Sequence, residues 1–232
     1  MKMNRQIIKR ISIVIISAFL IYGGYWIFDI YQFAKGVKEE APLFQEKLLN
    51  AEVQNGDIIF HTSKSRQSKA IQLATKSKYS HMGIVYRIDG QLFVYEAVQP
   101  VKLTPIKEWI NRGDKGHFVI KRLKNSDKLL TQEILSKMKQ VGEKYRGKDY
   151  DLYFEWSDEK IYCSELVWKI YKEGADIEIG KLEKLSDFDL NDKIVKQMMK
   201  ERYGENIPLD EKVISPVEMF NSDKLKIAIK NN

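Results

Sequence analysis

The first 28 positions separate from the rest by hydropathy alone. Residues 11 to 28 read ISIVIISAFLIYGGYWIF, an apolar run without a charge or a polar stripe, with Tyr22, Tyr25 and Trp26 at its far end. A hydrocarbon core about 30 Å thick takes roughly 20 helical residues, so the run predicts a transmembrane anchor with an interfacial aromatic end. Residues 29 to 50 turn amphipathic and charged, which predicts a helical stalk interrupted at Pro42. From residue 51 the pattern becomes that of a folded domain. Gly56 to Phe60 reads as a strand, and Ala70, Ile71 and Leu73 mark a short helix after a polar stretch. His81 to Ile88 and Gln91 to Val98 alternate around Asp89-Gly90, a strong hairpin signal. His117 to Leu123 predicts a further strand. Lys128 to Tyr145 predicts a helix with apolar positions at Leu130, Ile134, Met138 and Val141, and Tyr162 to Gly174 predicts another that stops at the glycine. A charged helix follows near Asn191 to Tyr203. Strands and helices do not alternate regularly, so the expected class is α+β with a small antiparallel sheet packed against helices.

Charge sharpens the reading of the amino terminus. The chain has 232 residues and a net charge of +7, and four of those seven charges come from Lys2, Arg5, Lys9 and Arg10, ahead of any acidic residue. The balance of the chain is too mildly basic for a nucleic-acid groove, and no nucleic-acid partner is expected. Basic residues before an apolar span place residues 1–10 in the cytoplasm and the domain outside it. A cleaved secretory signal has the same start, but no small-x-small cleavage site follows. The predicted organisation is a cytoplasmic tail at 1–10, an anchor at 11–28, a stalk at 29–50 and one domain at 51–232 on the extracytoplasmic side of the cell membrane. An apolar fraction of 44% with 31% charged residues suits a single globular domain and excludes a disordered chain.

Candidate chemistry centres on Cys163, the only cysteine. It begins its predicted helix, where free backbone N–H groups and the helix dipole favour a thiolate, and Leu166, Val167 and Ile170 put it on the buried stripe. A lone cysteine is otherwise an inert small hydrophobe. The hairpin supplies partners: with a two-residue turn, Ile88 faces Gln91, Val85 faces Val94 and Gly83 faces Glu96. His81 and Glu96 then become diagonal neighbours on one face, within reach of a hydrogen bond. A thiol, a base and a group that orients the base make a nucleophilic site. His61 and His117 compete for the base role, although neither shows an orienting partner. No His or Cys spacing matches a metal motif, so no metal or cofactor is expected.

Three segments, GDIIF, SHMGIVYRIDGQLFVYEAV and YCSELVWKIYKEG, resemble the NlpC-type cysteine peptidases, which share a papain-like fold. The strand motifs precede the cysteine helix, as in the circularly permuted, YiiX-like branch, and ISPVEMF at 214–220 is similar to that branch too. The resemblance implies Cys163 as nucleophile, His81 as base and Glu96 as the orienting residue. The segment YRGKDYDLYFEW at 145–156 also resembles the approach to that cysteine, and Tyr162 is a candidate oxyanion donor. The expected function is therefore a membrane-anchored thiol hydrolase cleaving amide bonds of peptidoglycan stem peptides through an acyl-Cys163 intermediate. Two rivals stand beside it: the same site acting on lipid acyl esters or amides, and a silent wall- or lipid-binding module. Glu155, Asp158 and Glu159 are either a solvated loop or a receptor for a cationic amine. The sequence leaves the oligomeric state open.

Overall fold

The structure is a computed structural model that describes residues 49–231. Its elements run β1 (Ile58–Ser63), α1 (Arg66–Thr75), β2 (His81–Ile88), β3 (Gln91–Glu96), β4 (Lys102–Pro105), α2 (Ile106–Arg112) and β5 (Gly113–Leu123). Then follow α3 (Ser126–Leu129), α4 (Gln132–Glu143), α5 (Cys163–Ala175), β6 (Glu183–Lys184), α6 (Lys193–Tyr203), β7 (Lys212–Val213), α7 (Pro216–Asn221) and β8 (Leu225–Lys230). Six strands form one antiparallel sheet in the order β4-β3-β2-β1-β5-β8, and β6 pairs with β7 apart from it.

Strand β1 is central, and its two faces go to two cores. Ile58 and Phe60 point to the side where α4 and α5 contribute Met138, Leu166, Val167 and Ile170. Ile59 and His61 point the other way, and His61 stacks on Trp109 of α2. Alternation along a strand with both faces covered makes every side chain from Ile58 to His61 buried. The Asp89-Gly90 turn has φ values of 48° and 78°, the two positive values a type I′ hairpin needs, and glycine takes the second without strain.

The α+β, papain-like arrangement of a sheet against helices agrees with the sequence, while several boundaries do not. The helix expected over 128–145 is two, because Thr131 caps a new start by accepting from the Ile134 N–H at 3.3 Å. Gly174 does not stop its helix, which ends in a left-handed residue at Asp176. Its role is close packing: a Cβ there would lie 2.6 Å from the Met138 Cα. Strand β3 ends at Glu96 rather than Val98, because the chain turns back and Lys102 of β4 pairs opposite Glu96. Strand β8, at the sheet edge, comes from a tail that the pattern left unassigned, and its lysines suit an exposed edge.

The amino-terminal expectations need correction. The segments 1–10 and 11–28, and the stalk up to residue 48, lie outside the described residues. Among the described residues no helix is long and apolar enough to cross a membrane. The transmembrane helix in the expected fold class, the single-pass topology and the extracytoplasmic placement that rested on it are accordingly withdrawn.

Candidate active site

The predicted hairpin register is present, with Val85 opposite Val94 and Ile88 opposite Gln91. It puts His81, at the start of β2, and Glu96, at the end of β3, on one face, and Nε2 of His81 lies 2.6 Å from Oε2 of Glu96. Helix α5 packs on this hairpin and brings Cys163, its first residue, to the other side of the imidazole. Cys163 and His81 share a hydrogen bond, and the Met82 backbone N–H also reaches the sulfur. The Tyr162 N–H that precedes the helix donates to Glu165 at 3.5 Å, so the α5 start is capped from within its own first turn.

Charge in this cluster is set by burial and by hydrogen bonds acting against each other. Burial pushes the Cys163 thiol up, but the bond and charge of His81, the Met82 N–H and the Tyr150 side chain overcome this and hold it below its usual range. Burial alone would push His81 down, whereas Cys163 and Glu96 together raise it well above the usual imidazole range. Glu96 is fully buried, and burial would raise its carboxyl. Bonds from His81, Thr104 and Arg112 hold it below the usual carboxylate range instead. Thr104 Oγ1 donates to Glu96 Oε1 at 2.5 Å, and the Arg112 guanidinium bonds the same oxygen. The three shifts point the same way, favouring a proton on His81 and negative charge on Cys163 and Glu96.

Three residues that the sequence did not place complete the cluster. Thr104 and Arg112 come from β4 and α2, elements with no periodic signal. Tyr150 hydrogen-bonds Cys163, and its hydroxyl accepts from Gln67 Nε2 of α1 at 3.2 Å. Tyr150 lies within the 145–156 segment, which is where its signal stood. The hydroxyl oxygen of Tyr162, the candidate oxyanion donor, accepts the Ile214 N–H at 3.1 Å and so anchors the carboxy-terminal segment. His61 is not the base. Its ring stacks on Trp109 at 3.8 Å and lies 5.3 Å from the His81 ring. Burial, and then the charge on His81, drive it down to about 2, so it stays neutral. His117 lies 3.3 Å from Lys78, and burial and that lysine lower it. In the acidic loop, Asp158 is occupied by Lys169 at 2.8 Å.

A six-stranded antiparallel sheet whose hairpin precedes, in the chain, a helix opening on the cysteine defines a permuted papain-like domain. The chain belongs to the family of permuted papain-like amidase enzymes, YaeF/YiiX, C92, whose sequence profile matches residues 52–228. It is 46% identical over 177 residues to the uncharacterized protein YiiX of Escherichia coli K12, covering 76% of this chain and 86% of that one. It is also similar to a crystal structure described as metalloprotein yiiX from Escherichia coli O157:H7, with a TM-score of 0.74 and 46% identity. That match covers 78% of this chain and 98% of the other.

These comparisons correct the expected mechanism. The family carries amidase chemistry, and the related structure is described as a metalloprotein, so the Cys-His-Glu thiol peptidase and its acyl-Cys163 intermediate are withdrawn. A metal does not fit the residues here either. Among the described residues no group of three or more His, Cys, Asp and Glu side chains is arranged to hold one. Near Cys163 the donors are already engaged, Glu96 through both oxygens and His81 between Glu96 and Cys163. His61 Nδ1 has no partner, yet it faces Gly113 so closely that a Cβ there would lie 2.8 Å away.

Proposed function

We propose that the chain is an amidase whose reaction centre is the cluster of Cys163, His81 and Glu96. The observation that carries this reading is the continuous hydrogen-bonded row from Cys163 through His81 to Glu96, with 2.6 Å between the imidazole and the carboxylate. Amide hydrolysis adds the hydroxyl of a water to the carbonyl carbon and a proton to the departing amine; the His81 imidazolium held in reach supplies that proton and is reprotonated from the water. Cys163 and His81 are the groups that meet the substrate. Glu96 is a positioning residue, fixing the ring and stabilising its protonated state, with Thr104 and Arg112 fixing Glu96 in turn.

The substrate class best suited to the site is a peptide amide of cell-wall type. The cleft on the His81 side is bordered by Ser63, Ser65, Gln67, Ser68, Gln99 and Arg112, side chains that bond peptide N–H and C=O groups. Incubating the full-length chain with muropeptides and following new amines by mass spectrometry tests the reading. Release by the wild type, reduced at least about a hundredfold in His81→Ala, is the expected result. Absence of any amide turnover, or equal turnover in the variant, would overturn it.

A further inference from the structure

Alongside Cys163 lies a second recess, a pocket of about 80 Å³ where α1 and α6 meet. Its wall includes Ile71 of α1, Val195 and Met198 of α6, Phe188, Ile214 and Cys163 itself. Tyr150 and Arg202 border it too, the latter with its guanidinium over the Phe154 ring at 5.2 Å from the centroid, yet the surface the pocket offers is apolar throughout.

Packing explains where the pocket lies but not why it is open. Helices α1 and α6 share a small core of Ala70, Leu185, Val195, Met198 and Met199, apart from the main core against the sheet. Protein cores are filled to the density of organic crystals, and an apolar void costs stability in step with its volume. Ala70 and Ala74, one turn apart on α1, leave room in the wall that larger side chains would take. A void kept apolar where it reaches the sulfur of the only cysteine is fitted to a carbon ligand. A charged or hydrogen-bonding group would give up its water there and find no partner. Volume sets the size: a dry cavity of about 150 Å³ takes the six carbons of benzene, so one of about 80 Å³ takes about three.

We propose that this pocket is a specificity site that takes a short aliphatic group of the substrate, about three carbons long, beside Cys163. Burial of carbon supplies the affinity, about fourfold for each methylene, and the volume of the pocket limits the length. The inference deepens the amidase reading and rests on it only for the identity of the ligand as substrate.

Alkyl methanethiosulfonates test the pocket on the full-length chain without any amide being cleaved. The Cys163 thiolate attacks the alkyl-bearing sulfur of the reagent, a disulfide forms and methanesulfinate leaves, so the alkyl group ends beside Cys163 and is read by intact mass on the chain's only cysteine. Each rate is divided by that of the same reagent with glutathione. The quotient is expected to rise about fourfold per carbon from methyl to propyl, and to change less than about twofold from butyl to hexyl. Propyl should exceed 2-hydroxyethyl, which has the same length, by at least about tenfold. Ala74→Leu, at a half-buried position, should flatten the series by filling the pocket, and Met198→Ala should extend the rise to longer chains. A flat wild-type series, a rise that continues to hexyl, equal quotients for propyl and 2-hydroxyethyl, or no labelling of the folded chain would overturn the proposal. The wild-type series decides it even if a variant fails to fold. Amide turnover is read separately with muropeptides: the length dependence without turnover would keep the pocket and remove the amidase reading, and turnover with a flat series would do the reverse.

Discussion

Two neighbouring recesses share Ile71 and Tyr150 in their walls, yet they differ in size and chemistry, and Cys163 borders the smaller while His81 borders the larger. The cleft beside His81 has about 500 Å³ and is bordered by hydroxyls, amides and Arg112. The pocket beside Arg202 has about 80 Å³ and is bordered mostly by carbon. Helix α1 makes much of the difference within ten residues: Gln67 and Ser68 face the cleft, while Ala70 and Ala74 face the pocket. A polar half-turn followed by an apolar one thus separates the two recesses.

Substitutions at the junction should affect substrates of every kind, and substitutions in one recess should affect only some. The largest loss is expected in His81→Ala, at least about a hundredfold in kcat/KM whatever occupies either recess. A loss confined to one substrate class would show that His81 serves a recess rather than the reaction. Next comes Tyr150→Phe, which removes a hydrogen bond to Cys163 from a wall that both recesses share. A fall of about tenfold in kcat/KM on all substrates is expected, the value of one buried hydrogen bond. The same variant should move the acid limb of the pH profile upward, because Tyr150 helps hold the Cys163 thiol below its usual range. The smallest effect is expected in Gln67→Ala, a few-fold loss on substrates that fill the polar cleft and little change on small amides that do not reach it. Equal loss on both would erase the division between the recesses. Across all variants, dialysis against EDTA is expected to leave turnover unchanged, because the donor atoms around Cys163 are already engaged; loss restored by a divalent cation would contradict this.

How far the sequence reached follows from how local each signal was. The hairpin and its register were legible, because Asp89-Gly90 and period-two alternation are written in consecutive residues. The nearness of His81 and Glu96 followed from that register by counting. Cys163 at a helix start was legible from its stripe of Leu166, Val167 and Ile170. Thr104 and Arg112 were not, since β4 and α2 are short and gain their order from the sheet rather than from their own periodicity. Tyr150 lies on an isolated bridge to Ile161, again without a periodic signal. The expected membrane anchor rested on residues 11–28 and draws nothing from the described domain.

The stability of the site should track the same protonation states. His81 is raised on folding, so its contribution is complete below the ordinary imidazole range and is lost as pH rises through its folded value. Glu96 is lowered, so its contribution is present above the ordinary carboxylate range and is lost as pH falls through its folded value. Between these limits the site holds together, and neutral pH lies within them.

The pH profile of kcat/KM on an amide substrate, compared between the wild type and Glu96→Gln, tests the central claim most directly. A wild-type plateau through neutral pH is predicted, with an alkaline limb above the ordinary imidazole range where His81 loses its proton. In Glu96→Gln that limb should move to lower pH, since the carboxylate that helps retain the proton is gone. An alkaline limb at the same pH in both proteins would contradict a reaction driven by an imidazolium held between Cys163 and Glu96.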